Sequence, residues 1–130
     1  MSNKYNAKRT EVDGKVFDSK AEAERYEYLL EQVRNGHIRD LELQPKLVFM
    51  VHGEPVKSAA GRTLSYKPDF RYWKRNTVGG QVNWSPVYED VKGMATDLWR
   101  WKWAFAKAHY PKYKFVAVRK SGSNWKEDMA

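Results

Sequence analysis

Two short stretches carry the residue types that do chemistry. The first is Ser65-Tyr66-Lys67-Pro68-Asp69-Phe70, which ends its polar part on an acid. The second is Tyr88-Glu89-Asp90-Val91-Lys92-Gly93, in which two acids precede a lysine. Side chains on a strand alternate faces, so Asp90 and Lys92 point one way while Glu89 and Val91 point the other. If the two stretches pair as strands, Asp69 and Asp90 converge with Lys92 beside them. Two carboxylates and an ammonium suit a hard divalent cation and a water better than they suit a core. Mg²⁺ takes about six oxygens at roughly 2.1 Å and keeps several waters. Asp69 and Asp90 can supply two of those oxygens and the Val91 carbonyl a third. Lys92 can orient an attacking water and stabilise developing charge. Without a cation, two ionised carboxylates about 4 Å apart repel by roughly 4 kcal/mol at an effective dielectric near 20.

Elements flanking these stretches must position them. Asp13-Gly14 between Val12 and Val16-Phe17 is a hairpin turn signal. Asp18 or Ser19 then caps a helix over residues 20–34, closed by Asn35-Gly36. Its apolar stripe is Tyr26, Leu29, Leu30 and Val33, with Arg25 and Gln32 off it. Glu22 falls on the stripe. It is either the reciprocal partner of Ser19 in a capping box or an acid aimed at a site, and periodicity leaves both open. Residues 41–44 and 46–51 read as strand broken by Pro45, and 52–55 and 58–62 as turn and loop. Residues 64–73 form a strand disturbed by Pro68. Residues 76–80 turn the chain into a strand over 82–92, interrupted near Ser85-Pro86. A second helix starts near Thr96 and ends by His109. Its stripe reads as Leu98, Trp101, Phe105 and Ala108, with Trp99 and Trp103 on another side, as core rather than as a base-stacking platform. A last strand over 113–118 follows, parallel to the one ending at Lys92. The chain thus reads as α/β, a mixed sheet flanked by helices: residues 1–10 a basic arm, 11–119 one domain, 120–130 a mobile tail or short helix.

Composition narrows the partners. The 130 residues carry a formal net charge of +8, which favours polyanions, nucleic acid before anionic membrane. There is no cysteine, which removes disulfides and thiolate–zinc sites. His37, His52 and His109 lack metal-ligand spacing. No apolar run approaches a membrane span and no signal-peptide pattern is present, so no membrane partner is expected. Lys4, Lys8 and Arg9 of the arm, Lys67, and Arg100 and Lys102 of the second helix are the candidate phosphate contacts.

Pro68-Asp69 with Asp90-Val91-Lys92 resembles the PD-(D/E)xK nuclease superfamily. Together with Phe17-Asp18-Ser19-Lys20-Ala21-Glu22, these motifs are similar to the phage endonuclease I type of junction-resolving enzyme. They are similar also to a small uncharacterised family of phage and prophage proteins, with an arm like Lys4 to Lys8 and a segment like Leu43-Gln44-Pro45. The resemblance covers most of the chain. It implies a restriction-endonuclease-like fold and Mg²⁺-dependent DNA cleavage in a bacterial cytoplasm, with Mn²⁺ as substitute. It implies a catalytic set of Glu22, Asp69, Asp90 and Lys92, with the three acids and Val91 at the metal and Gln44 secondary. Many members have Glu as the second acid, and a bulge presenting Glu89 is the alternative to Asp90. Gln44 can instead be a buried amide bonded to backbone. Branched DNA is the substrate implied by the junction-resolving group, and a homodimer the assembly, since two strands must be cut. Two rival expectations are a non-catalytic nucleic-acid-binding module on the same fold and a nuclease subunit that needs a partner protein.

Overall fold

The computed structural model describes residues 10–128. The arm residues Lys4, Lys8 and Arg9 lie outside the described residues. The chain opens with a hairpin, β1 (Thr10–Val12) and β2 (Lys15–Phe17), turned by Asp13 and Gly14 at φ 51° and 75°. Helix α1 spans Lys20–Arg34. The Ser19 hydroxyl accepts from the Glu22 N–H at 3.1 Å, and Gly36 at φ 75° ends the helix with His37 N–H donating to the Gln32 carbonyl at 3.0 Å. These are local signals, and the helix begins and ends where they put it.

Strand β3 (Ile38–Leu43) starts directly after that cap. Short pieces follow: β4 (Leu47–Val48), β5 (Met50–Val51), β6 (Glu54–Pro55) and β7 (Ser65–Tyr66). Glu54 and Pro55, expected in a turn, pair with β5, and the turn itself is His52-Gly53. Two long strands, β8 (Phe70–Val78) and β9 (Gln81–Val91), make an antiparallel ribbon, then α2 (Asp97–His109), β10 (Lys114–Ser121) and β11 (Asn124–Asp128). The main sheet has the order β11-β10-β9-β8-β3. β10 runs parallel to β9 and the other pairs are antiparallel, so the fold is mixed α/β. One core, with Phe17, Tyr26, Leu29, Phe70, Val87 and Val118, joins the sheet to α1. The other, with Tyr66, Tyr88, Trp99, Trp103 and Ala117, joins it to α2.

Four further expectations are corrected. The strand over residues 82–92 is not interrupted: β9 continues through Pro86, opposite Trp73. β10 joins only from Val87, paired with Lys114, so Pro86 sits where β9 is still an edge and its missing N–H costs no ladder bond. The turn expected over 76–80 contracts to Gly79-Gly80, both at positive φ, because β8 pairs as far as Val78. Residues 124–128 are neither tail nor helix but an edge strand, anchored where Trp125 packs on the α1 core. The stripe on α2 is the opposite of the one expected. Trp99, Trp103 and Ala106 are buried, while Leu98, Trp101 and Phe105 face outward.

Candidate active site

Pro68 stands between two sheets. β7 before it pairs with β4, and β8 after it enters the main sheet. A proline offers no N–H and keeps the preceding residue extended, so it suits this hand-over point. Asp69 is therefore held just ahead of the first paired residue, Phe70, opposite Glu89. Its main chain is fixed on both sides. The Asp69 N–H donates to Asp90 Oδ1 at 2.9 Å, and its carbonyl accepts from the Gln44 N–H at 2.9 Å. Gln44 adopts φ 47°, a strained value for a side chain of its size, at the end of β3. The Gln44 side chain is exposed, so the residue is not a buried amide; its main chain does the positioning.

The two aspartates lock each other through the backbone. Asp69 Oδ2 accepts from the Val91 N–H at 2.8 Å, while Asp90 Oδ2 accepts from Trp99 Nε1 at 2.7 Å. The same indole N–H lies 3.1 Å from the Tyr66 hydroxyl. Thr96 caps α2 by accepting from the Trp99 N–H, which sets the indole over the end of β9. Lys92 Nζ lies 5.2 Å from the Trp99 ring centroid, on the side of the sheet that Asp90 faces. Glu89 faces the other way. It takes a bidentate pair from Arg25, Nε to Oε2 at 2.8 Å and Nη2 to Oε1 at 2.7 Å, and accepts from the Tyr72 hydroxyl at 2.8 Å. There is no bulge at this point, and β9 and β10 stay in register from Val87 to Val91. Arg25, expected outside the helix stripe, is thus 7% exposed, because the only buried acid on this face of the sheet draws it in among the described residues.

Glu22 enters from the first turn of α1 and lines a pocket of about 160 Å³ with Phe17, Leu43, Gln44 and Asp69. Ser19 caps the helix, but no bond runs back from the Glu22 carboxylate to complete a capping box among the described residues. Burial pushes Glu22 up to about 8, with Asp69, Asp18 and Asp90 adding repulsion and Lys92 opposing it. Burial likewise pushes Asp69 up to about 6 against the pull of the Val91 N–H and of Lys92. Burial raises Asp90 too, with Lys92 and the Trp99 N–H pulling it down. Glu22 thus feels the charges of Asp69, Asp90 and Lys92, at the end of the sheet where β8 begins and β9 stops. Asp18 joins them, a residue read from the sequence only as a cap.

Chemically the donors are all oxygen and all destabilised as anions, which is the chemistry a hard cation relieves. Asp69 Oδ2 is taken by the Val91 N–H, and no buried side-chain polar atom is left unsatisfied among the described residues. No three carboxylates or imidazoles among the described residues form a ready-made cage. A cation here would draw on these acids, with main-chain oxygen and water completing the shell, as Mg²⁺ tolerates. Beside the acids, Lys67, Lys92 and Lys102 line a cleft of about 430 Å³ floored by Tyr66 and Trp99. Arg100 lies off it, exposed and paired with Asp97 at 3.2 Å.

Residues 2–124 match the family described as "Protein of unknown function (DUF1064)". The chain belongs to that family. Among curated proteins and among solved structures, none matches the DUF1064 chain. No helix among its described residues is long and apolar enough to cross a membrane. The sequence reading missed two supports of the DUF1064 site, Trp99 and Arg25. The expected stripe leaves Trp99 on another side of the helix, and Arg25 carries no signal short of knowing where Glu89 points.

Proposed function

We propose that this protein is a divalent-cation-dependent endodeoxyribonuclease built on a restriction-endonuclease-like topology. The observation that carries the reading is the interlock of Asp69 and Asp90, each carboxylate accepting an N–H from the other's segment, with Glu22 and Lys92 in the same field. A structural pair of acids has no need of this arrangement, because burying two like charges side by side destabilises the fold.

Asp69, Asp90 and the Val91 carbonyl would hold Mg²⁺ or Mn²⁺, which supplies charge neutralisation at the phosphate and acidifies water. The remaining work falls to the chain. Lys67 and Lys102 bind phosphates of the strand lying in the cleft. Lys92, at the rim shared by cleft and acids, orients the attacking water and stabilises charge on the non-bridging oxygens. Glu22 carries a proton near neutral pH and exchanges it as the charge beside it changes. Trp99 holds Asp90 in place and keeps water from its far side. The sequence motifs extend the reading to branched DNA as substrate, a homodimer as the active assembly and a phage or prophage origin.

The test is cleavage of a labelled four-way junction and of linear duplex, with Mg²⁺, Mn²⁺ or EDTA. Wild type should cut only with metal. Asp69→Asn and Lys92→Met should bind DNA yet cut at least about 100-fold more slowly. Equal cutting by wild type and Asp69→Asn would refute the assignment. Salt-sensitive binding without turnover under every condition would replace it with a binding module.

A further inference from the structure

Helix α2 has two aromatic faces, and one of them is largely exposed, touching the rest of the chain where Phe105 meets the Phe49 ring at 6.1 Å. Trp99, Trp103 and Ala106 fill the core beneath the sheet. Leu98, Trp101 and Phe105 stand on the outer face at 66%, 66% and 55% exposure. The Trp101 and Phe105 rings lie 5.9 Å apart and 23° from parallel, so the pair presents one continuous aromatic surface. With Arg100, Ala104 and Ala108 they line a concavity of about 450 Å³. An exposed apolar patch of this kind on a polar chain marks a contact surface.

Charge and continuity identify what sits there. On a helix of 3.6 residues per turn, Arg100 and Lys107 border the stripe on one side and Lys102 on the other. The helix carries one acid, Asp97, already paired with Arg100. A second copy of this chain brought onto the same face would set basic edge against basic edge. A polyanion would not meet that penalty. The stripe also runs into the cleft beside the acids, because Leu98 and Lys102 line that cleft with Lys92. A strand leaving the cleft reaches Trp101 without leaving the helix. In a paired duplex the bases are stacked on each other and cannot lie on a side chain; unpaired bases can.

We propose that the Trp101–Phe105 face of α2 is a stacking platform for unpaired bases of a nucleic-acid strand that continues from the Lys67–Lys92–Lys102 cleft. The direction of that strand rests on the nuclease reading, but the binding itself does not. The platform selects single-stranded segments such as those exposed at branches, flaps and ends, and gives the chain a preference that phosphate contacts cannot supply.

The experiment measures anisotropy of labelled oligothymidylate and of a blunt duplex of equal length, in EDTA so that nothing is cut. Trp101→Ala should weaken oligothymidylate binding by about ten-fold or more, Phe105→Ala by less, and Trp101→Phe by under about three-fold. Duplex binding should change by less than about two-fold in all three. Unchanged oligothymidylate binding by Trp101→Ala would overturn the proposal, as would an equal loss on both probes. It also fails if Trp101→Ala abolishes self-association in sedimentation, or binding to anionic lipid vesicles, and leaves oligothymidylate binding intact. Cleavage is scored separately, so inactive protein that still stacks DNA on Trp101 keeps this proposal and sinks only the catalytic one.

Discussion

Replacing Asp69 with asparagine should make the metal-free protein more stable, and only above a certain pH. Burial holds the Asp69 carboxyl at about 6 rather than its ordinary 3.8. The gap is about 2, and at about 1.4 kcal/mol for each pH unit the ionised form costs the fold about 3 kcal/mol. The sign follows from proton binding. The folded protein holds this proton more tightly than the unfolded chain, so the acid's contribution is intact below pH 3.8. It is lost as pH rises through about 6. An amide is close in shape to the protonated acid and can accept from the Val91 N–H as the carboxylate does. Asp69→Asn should therefore match wild type at pH 4 and exceed it by about 3 kcal/mol at pH 8. Urea denaturation at a series of pH values in EDTA measures this directly, with the slope checked for constancy. Adding Mg²⁺ should raise the stability of wild type and leave Asp69→Asn unmoved. Equal stability of the two proteins at pH 8, or a loss in the variant that does not depend on pH, would show that Asp69 is satisfied as an anion and that the reasoning about the site is wrong.

Glu89, next in sequence to Asp90, should behave in the opposite way: Glu89→Ala strands Arg25 in the core and should cost about 3–5 kcal/mol in urea denaturation at pH 7. A loss under about 1 kcal/mol would mean that the pair is open to water. Glu22→Gln should flatten the pH dependence of metal-free stability between about 4.5 and 8, since across this window the unfolded chain has released a proton that folded wild type still holds, and stability falls as pH rises. A profile identical to wild type in the same titration would remove Glu22 from the cluster. Amides of residues 124–128 that bond to β10 should exchange measurably slower than those of the Gly122-Ser123 turn, and Trp125→Ala should erase the difference, because the indole ties this edge strand to the core. Uniformly fast exchange along the segment would return it to the tail first expected.

Much of this molecule was legible without coordinates wherever the determining forces act over a few residues. Asp13-Gly14 needs left-handed φ and turns a hairpin, Ser19 and Thr96 satisfy free N–H groups at helix starts, and Gly36 ends α1. The alternation of β9 sends Asp90 and Lys92 to one side and Glu89 to the other by backbone geometry alone. What remained undetermined depends on neighbours distant in the chain. Leu98, Trp101 and Phe105 have the same helical period as Trp99, Trp103 and Ala106, so either set can be the core face. Only the indole N–H reaching Asp90 and the fit against Tyr66 and Phe115 decide for the second. Arg25 is an ordinary surface residue until Glu89 is buried opposite it. Pro86 breaks a strand unless the next strand starts one residue later. Residues 124–128 are a polar stretch until β10 offers an edge and Trp125 finds the α1 core. Local rules act through the few atoms a residue carries with it, whereas burial and charge pairing are energies of meeting, and these groups meet only once the chain is folded.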